Sequence, residues 1–133
     1  MAFSRKMGER EPKDLRVLLV EDVEDTRLFM RLELEHEGFI VFEASDGQAA
    51  VETAIREHPD VILMDLTLPL MDGFDAAKQI RKIDGLSTVP IIAVTAHQET
   101  DFRSGAKASG FDAYVTKPID VRWLKELISG LLT

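Results

Sequence analysis

Four places in the 133-residue sequence set groups able to handle a phosphoryl group directly after short apolar runs. Glu21-Asp22 follows Val17-Leu18-Leu19-Val20, and Asp65 follows Val61–Met64. Thr95 follows Pro90–Val94, and Thr116-Lys117-Pro118 follows Ala113–Val115. The set supplies three carboxylates, a hydroxyl and an ammonium. Gathered carboxylates repel one another and need a counter-charge. Hard oxygen ligands of this kind suit Mg2+, with water and a substrate phosphate completing its shell, and Lys117 brings a second cation. A carboxylate beside Mg2+, a lysine and a hydroxyl can attack phosphorus and form an acyl phosphate. The two cations would offset charge on the transferring oxygens, and Thr95 would donate a hydrogen bond to one of them. Phosphoryl transfer asks for little more than this positioning. One such acid alone would pass for a solvated strand end; all of them at equivalent places would not.

The elements that must position these groups are legible in the apolar pattern. The runs Leu15–Val20, Phe39–Phe42, Val61–Met64, Pro90–Val94 and Ala113–Val115 are short and mostly rich in Val and Ile, which suits strands. Helical spacing fills the gaps: Val51, Ala54 and Ile55; then Ala76, Ala77, Ile80 and Ile83; then Val121, Leu124, Ile128 and Leu131. Strand and helix alternate five times, which predicts a parallel sheet covered on both faces, an α/β (βα)5 sandwich. Ligands of such sheets bind at the carboxyl ends of the strands, so the reactive groups fall on one rim. Ser45 with Gln48 reads as a capping box for the second helix. Gly38 and Gly110, each followed by Phe, read as Schellman-type helix ends.

Two helices are less regular. In the first, about 24–37, Leu28, Phe29 and Leu32 form the expected core stripe. Met30 and Leu34 form a second row almost opposite, available to a partner. The fourth, about 99–109, has Gly105, two Ser and few large apolar residues, and so should be weakly anchored.

Composition narrows the classes further. At 45% hydrophobic and 30% charged residues the chain can build one packed core, which argues against wholesale disorder. The absence of Cys removes disulfides, Cys-based zinc sites and thiol catalysis. A net charge of −8 repels phosphate backbones, so no direct nucleic acid binding is expected. No apolar run approaches membrane-span length, and the start, Met1 to Lys6, lacks a signal-peptide core. A cytoplasmic protein is expected, with residues 1–13 a flexible leader and 14–133 one domain. Val20-Glu21-Asp22-Val23 has no glycine where a dinucleotide fingerprint needs several, so a nucleotide cofactor is disfavoured.

From Leu15 to Leu132 the sequence resembles the receiver domain of two-component response regulators. The resemblance rests on Val17–Asp22, Ile62–Gly73, Ile91–Ala96 and Ala113–Pro118, in the family's order and spacing. It implies a flavodoxin-like fold with strand order 2-1-3-4-5. It implies that Asp65 accepts a phosphoryl group from a sensor histidine kinase or a histidine phosphotransfer protein. Mg2+ would be held by Asp22, Asp65 and the carbonyl of Thr67, with Glu21 reaching it through water. Lys117 would contact a phosphoryl oxygen, preceding a cis bond to Pro118; Thr95 would move toward the phosphoryl group, and Tyr114 would swing inward behind it. Pro69 and Gly73 would shape the loop after the acceptor, while Thr67 and His97 would tune loss of the phosphoryl group to water. The output face would be the fourth helix, fifth strand and fifth helix, with Trp123 and Leu127 on it, acting on a downstream protein, an output domain or a second copy in a homodimer.

Two other readings remain. A haloacid-dehalogenase-like phosphatase needs a second Asp two residues past the nucleophile, where this chain has Thr67. A non-phosphorylated pseudoreceiver would not be expected to keep Asp22, Asp65, Thr95 and Lys117 together. No turnover of a separate substrate is expected.

Overall fold

The computed structural model describes residues 15–66, 68, 71, 73–95 and 110–132. Five parallel strands, β1 (Arg16–Val20), β2 (Ile40–Ala44), β3 (Val61–Asp65), β4 (Ile91–Thr95) and β5 (Ala113–Thr116), lie in the order β2-β1-β3-β4-β5. The helices are α1 (Glu24–His36), α2 (Gly47–Glu57), α3 (Gly73–Arg81) and α4 (Val121–Leu132), the last being the fifth helix expected from the sequence. The expected fourth helix and the leader lie outside the described residues.

Alternation along each strand builds two cores from one sheet. Leu18, Val20, Ile62, Met64, Ile91 and Ala93 face α2 and α3. Val17, Leu19, Val61, Leu63, Ile92 and Val94 face α1 and α4. β3 and β4 are buried along their whole length, as parallel strands covered on both faces must be. The register pairs Val20 with Met64, Asp65 with Val94 and Thr95 with Thr116, so the strand ends finish level.

α1 ends as its Gly predicts. Gly38 has φ 100, and the amides of Gly38 and Phe39 donate to the carbonyls of Glu35 and Leu34 at 3.0 and 3.1 Å. That is the Schellman pattern, and it turns Phe39 into the core. Arg81 closes the opposite end of the sheet. Its guanidinium donates to the carbonyls of Val89 and Gly110 and to Asp112 Oδ2, joining α3 to the turn that enters β5.

Three local readings need correction. The core side of α1 is Met30 and Leu34, whereas Leu28, Phe29 and Leu32 are exposed, Phe29 by 68%. Met30 and Leu34 lie one helical turn apart and join the core on that side of the sheet, so the smaller apolar row faces inward. The cap of α2 is Asp46, whose Oδ1 accepts from Ala49 N at 2.8 Å, and not Ser45. Ile55 is exposed; small residues, Ala50, Thr53 and Ala54, face the sheet instead and let α2 approach closely.

The two rows of α1 separate cleanly by mutation. Leu34→Ala should cost about 2–5 kcal/mol by leaving a cavity, whereas Leu32→Ala should fall within about 0.5 kcal/mol of the parent. Urea unfolding with unchanged slope checks both.

Candidate functional site

At the carboxyl rim the chain leaves β1 and turns into α1 across Glu21, Asp22 and Val23. Glu21 is only 1% exposed. Its backbone N–H still donates to Ala44 O of β2 at 3.1 Å, and its Oε2 accepts from Val23 N at 3.1 Å. β3 ends on Asp65, also buried, and β4 ends on Thr95, buried as well. Gly73 opens α3 directly against this rim. A Cβ there would lie 2.2 Å from the carbonyl oxygen of Asp65, so only glycine permits the approach.

Lys117 follows β5 and reaches across the rim. Its Nζ lies 2.6 Å from Glu21 Oε1 and 3.1 Å from Asp65 Oδ2. Its backbone N–H donates to Thr95 O at 2.8 Å, which ties it to the end of β4. The Lys117–Pro118 bond is cis. Burial by itself would lower the ammonium's pKa. The hydrogen bond to Glu21 and the charge of Asp65 outweigh that, so the pKa rises above the usual 10.5 and the ammonium stays charged at neutral pH.

Glu21, Asp22 and Asp65 each offer a carboxylate oxygen within 4.8 Å of the others. Among the described residues the cluster sets three carboxylates against the Lys117 ammonium, an excess of acidic over basic side chains. Asp22 is open to solvent while the other two are buried. All-oxygen donors with a solvent-facing side fit a hard divalent cation that retains water, Mg2+ before Zn2+.

Glu21, Asp22, Asp65 and Lys117 therefore meet as the sequence predicts, with Thr95 joined through the Lys117 backbone. Tyr114 lies two residues before Thr116 in β5, half-buried against the α2–α3 side of the sheet. Thr67, Pro69 and His97 lie outside the described residues. Sequence reasoning missed Arg27 in the first turns of α1, whose Nη1 donates to Glu21 O at 2.9 Å. Its only signal is position: helical side chains lean toward the amino end, back over the rim.

The family model described as the response regulator receiver domain matches residues 17–129. Protein PilH of Pseudomonas aeruginosa is 37% identical over 118 residues, covering 88% of this chain and 97% of that protein. Response regulator ArlR of Staphylococcus saprophyticus is 37% identical over 117 residues, covering 88% of this chain; the chain spans 52% of that regulator's length. Among solved structures, the receiver domain of sensor histidine kinase PA1611 from Pseudomonas aeruginosa has a magnesium ion coordinated in its active site cleft. It is similar with a TM-score of 0.83 and 33% identity, covering 89% of this chain and 97% of that one.

Lys117→Met should strand the buried Glu21 carboxylate and cost roughly 1–3 kcal/mol at pH 7. Because the folded lysine's pKa is raised, the stability it contributes is complete below about pH 10.5 and is lost as pH rises through the folded value. Urea unfolding at stepped alkaline pH should show that loss in the parent and not in Lys117→Met.

Proposed function

Because the chain belongs to the response regulator receiver domain family, and so to phosphorylation-dependent signalling, we propose that Asp65 is its phosphoacceptor. The observation that carries this reading is the shared ammonium of Lys117, which holds Asp65 Oδ2 beside two further carboxylates at the strand ends. In the transfer, a carboxylate oxygen of Asp65 bonds to phosphorus as the phosphorus–nitrogen bond of the donor's phosphohistidine breaks. The imidazole leaves with the bonding pair. Asp22 and Asp65 would hold Mg2+ with the Thr67 carbonyl, and Glu21 would reach it through water. That cation supplies charge neutralisation on the phosphoryl oxygens. Lys117 exchanges part of its contact with Glu21 for a phosphoryl oxygen, and Thr95 donates its hydroxyl to another.

The new acyl phosphate adds roughly two negative charges at the rim. Lys117 and Thr95 share a backbone hydrogen bond, so they follow those oxygens together. Tyr114, in the edge strand β5 just before that rim, swings inward to fill the space. The output is then read on β5, α4 and the expected fourth helix, where Trp123 stands half-exposed and Asp120 caps α4 by accepting from the amides of Arg122 and Trp123. The reader is a downstream protein, an output domain or a second copy of the chain. The protein turns over no separate substrate and works in the cytoplasm.

Docking of the donor belongs to the outer side of α1, not to Met30 and Leu34. Phe29 and Leu32 are exposed there and Met30 and Leu34 are buried; Phe29 stands on a groove of about 420 Å3 that Met30 and Leu34 also line, with Glu33, Ile119 and Leu124. Apolar anchors next to a groove suit the face of a partner helix.

Intact mass after incubation with Mg2+ and a small acyl phosphate should show one added phosphoryl group, absent in Asp65→Asn. No addition from either a small donor or a phosphohistidine protein would sink the reading in favour of an interaction module. Phe29→Glu should slow transfer from a phosphohistidine protein by roughly tenfold or more while leaving phosphorylation by the small donor unchanged. Equal rates from the protein donor would dismiss α1 docking.

A further inference from the structure

We propose that Arg27 is a positioning residue for Glu21 and Asp22, fixing the loop after β1 in the shape that takes Mg2+; this rests on the metal reading above. Past Val20 the chain leaves the sheet, and the β1–β2 register ends at Val20 opposite Ala44. The amide of Glu21 keeps a strand partner, Ala44 O, while its carbonyl lies past the last paired residue of β1. Arg27 supplies the missing donor: its Nη1 lies 2.9 Å from Glu21 O.

The guanidinium is held at its other edge. Arg27 Nε lies 3.2 Å from Glu43 Oε1, and Glu43 is the β2 residue next to Ala44. Arg31 Nε lies 3.3 Å from the second Glu43 oxygen, an ion pair without a hydrogen bond. The Arg27 side chain is only 18% exposed, while Glu43 at 37% leaves the outer side of the bridge in water. β2 thus grips the loop twice, directly through Ala44 and indirectly through Glu43 and Arg27. A planar fork bridges a carbonyl and a carboxylate at once; a lysine ammonium on a shorter reach does this poorly. With the Glu21 backbone pinned, its side chain is aimed at Lys117, and Asp22 is presented outward to solvent.

Arg27 is a cation beside a cation site, so by charge alone its removal should strengthen Mg2+ binding. If it positions the acidic pair, its removal weakens Mg2+ binding instead.

The test is calorimetric titration of the full chain with MgCl2, alongside melting curves without metal. Arg27→Met should weaken Mg2+ affinity about tenfold, the low end for groups that orient metal ligands. Arg27→Lys should fall between it and the parent, and Glu43→Gln should weaken binding less, in the same direction. Arg31→Met, which loses its pairs with Glu43 and Glu35, should stay within about twofold of the parent whatever its melting point, since outer-shell effects of about tenfold need a partner that reaches the ligand loop. Unchanged or tighter Mg2+ binding in Arg27→Met overturns the positioning role; should that variant not fold, Arg27→Lys and Glu43→Gln decide by the same criterion. A parent chain that binds no Mg2+ even in the millimolar range overturns the metal reading itself, and this proposal with it.

Discussion

A lysine ammonium shared by Glu21 and Asp65 is the interaction on which the rim depends. Burying one carboxylate is costly unless it is paired and hydrogen-bonded, and here Glu21 and Asp65 are both buried at the end of one sheet. Lys117 makes that arrangement tolerable without closing it, since three acids to one ammonium leave residual attraction for another cation. A rim fully neutralised by the protein's own side chains would be stable and inert. This one is held together and left unfinished on its solvent side, at Asp22.

The sheet makes the ammonium's reach possible. With every strand parallel and the ends level, Glu21, Asp65, Thr95 and Lys117 reach one edge. Beside the Arg27 side chain, the supports around that edge are backbone contacts: Gly73 against the Asp65 carbonyl, Lys117 N to Thr95 O, and Glu21 N to Ala44 O. Backbone supports fix where the strand ends lie while leaving the side chains at the rim free to change partners.

Much of this was legible in the sequence, because buried parallel strands are continuous apolar runs and the residue after each run must fall on the rim. Glu21, Asp22, Asp65, Thr95 and Lys117 could be read that way. The face of α1 could not. Leu28, Phe29 and Leu32 outweigh Met30 and Leu34 in apolar bulk, and periodicity does not tell a core face from one turned outward. Ser45 and Asp46 are both good caps, and a one-residue difference is settled by where the chain leaves β2. Ile55 promised burial, but α2 packs through Ala50 and Ala54, whose small size brings the helix close. Arg27 was invisible because the target of a long side chain depends on tertiary placement, and Glu43 lies 16 residues away.

The separation of Lys117 from its partners, 96 residues from Glu21 and 52 from Asp65, also has a consequence in time. A chain made from its amino end presents the acids of β1 and β3 long before the ammonium that reconciles them. Until β5 joins the sheet edge, their burial is opposed by their own charge, so a partial sheet gains little from forming early. The last strand to be synthesised therefore completes the electrostatics and the fold together. A nascent chain cannot complete this rim until β5 and Lys117 have been made, so the paired edge reports that all five strands have come together.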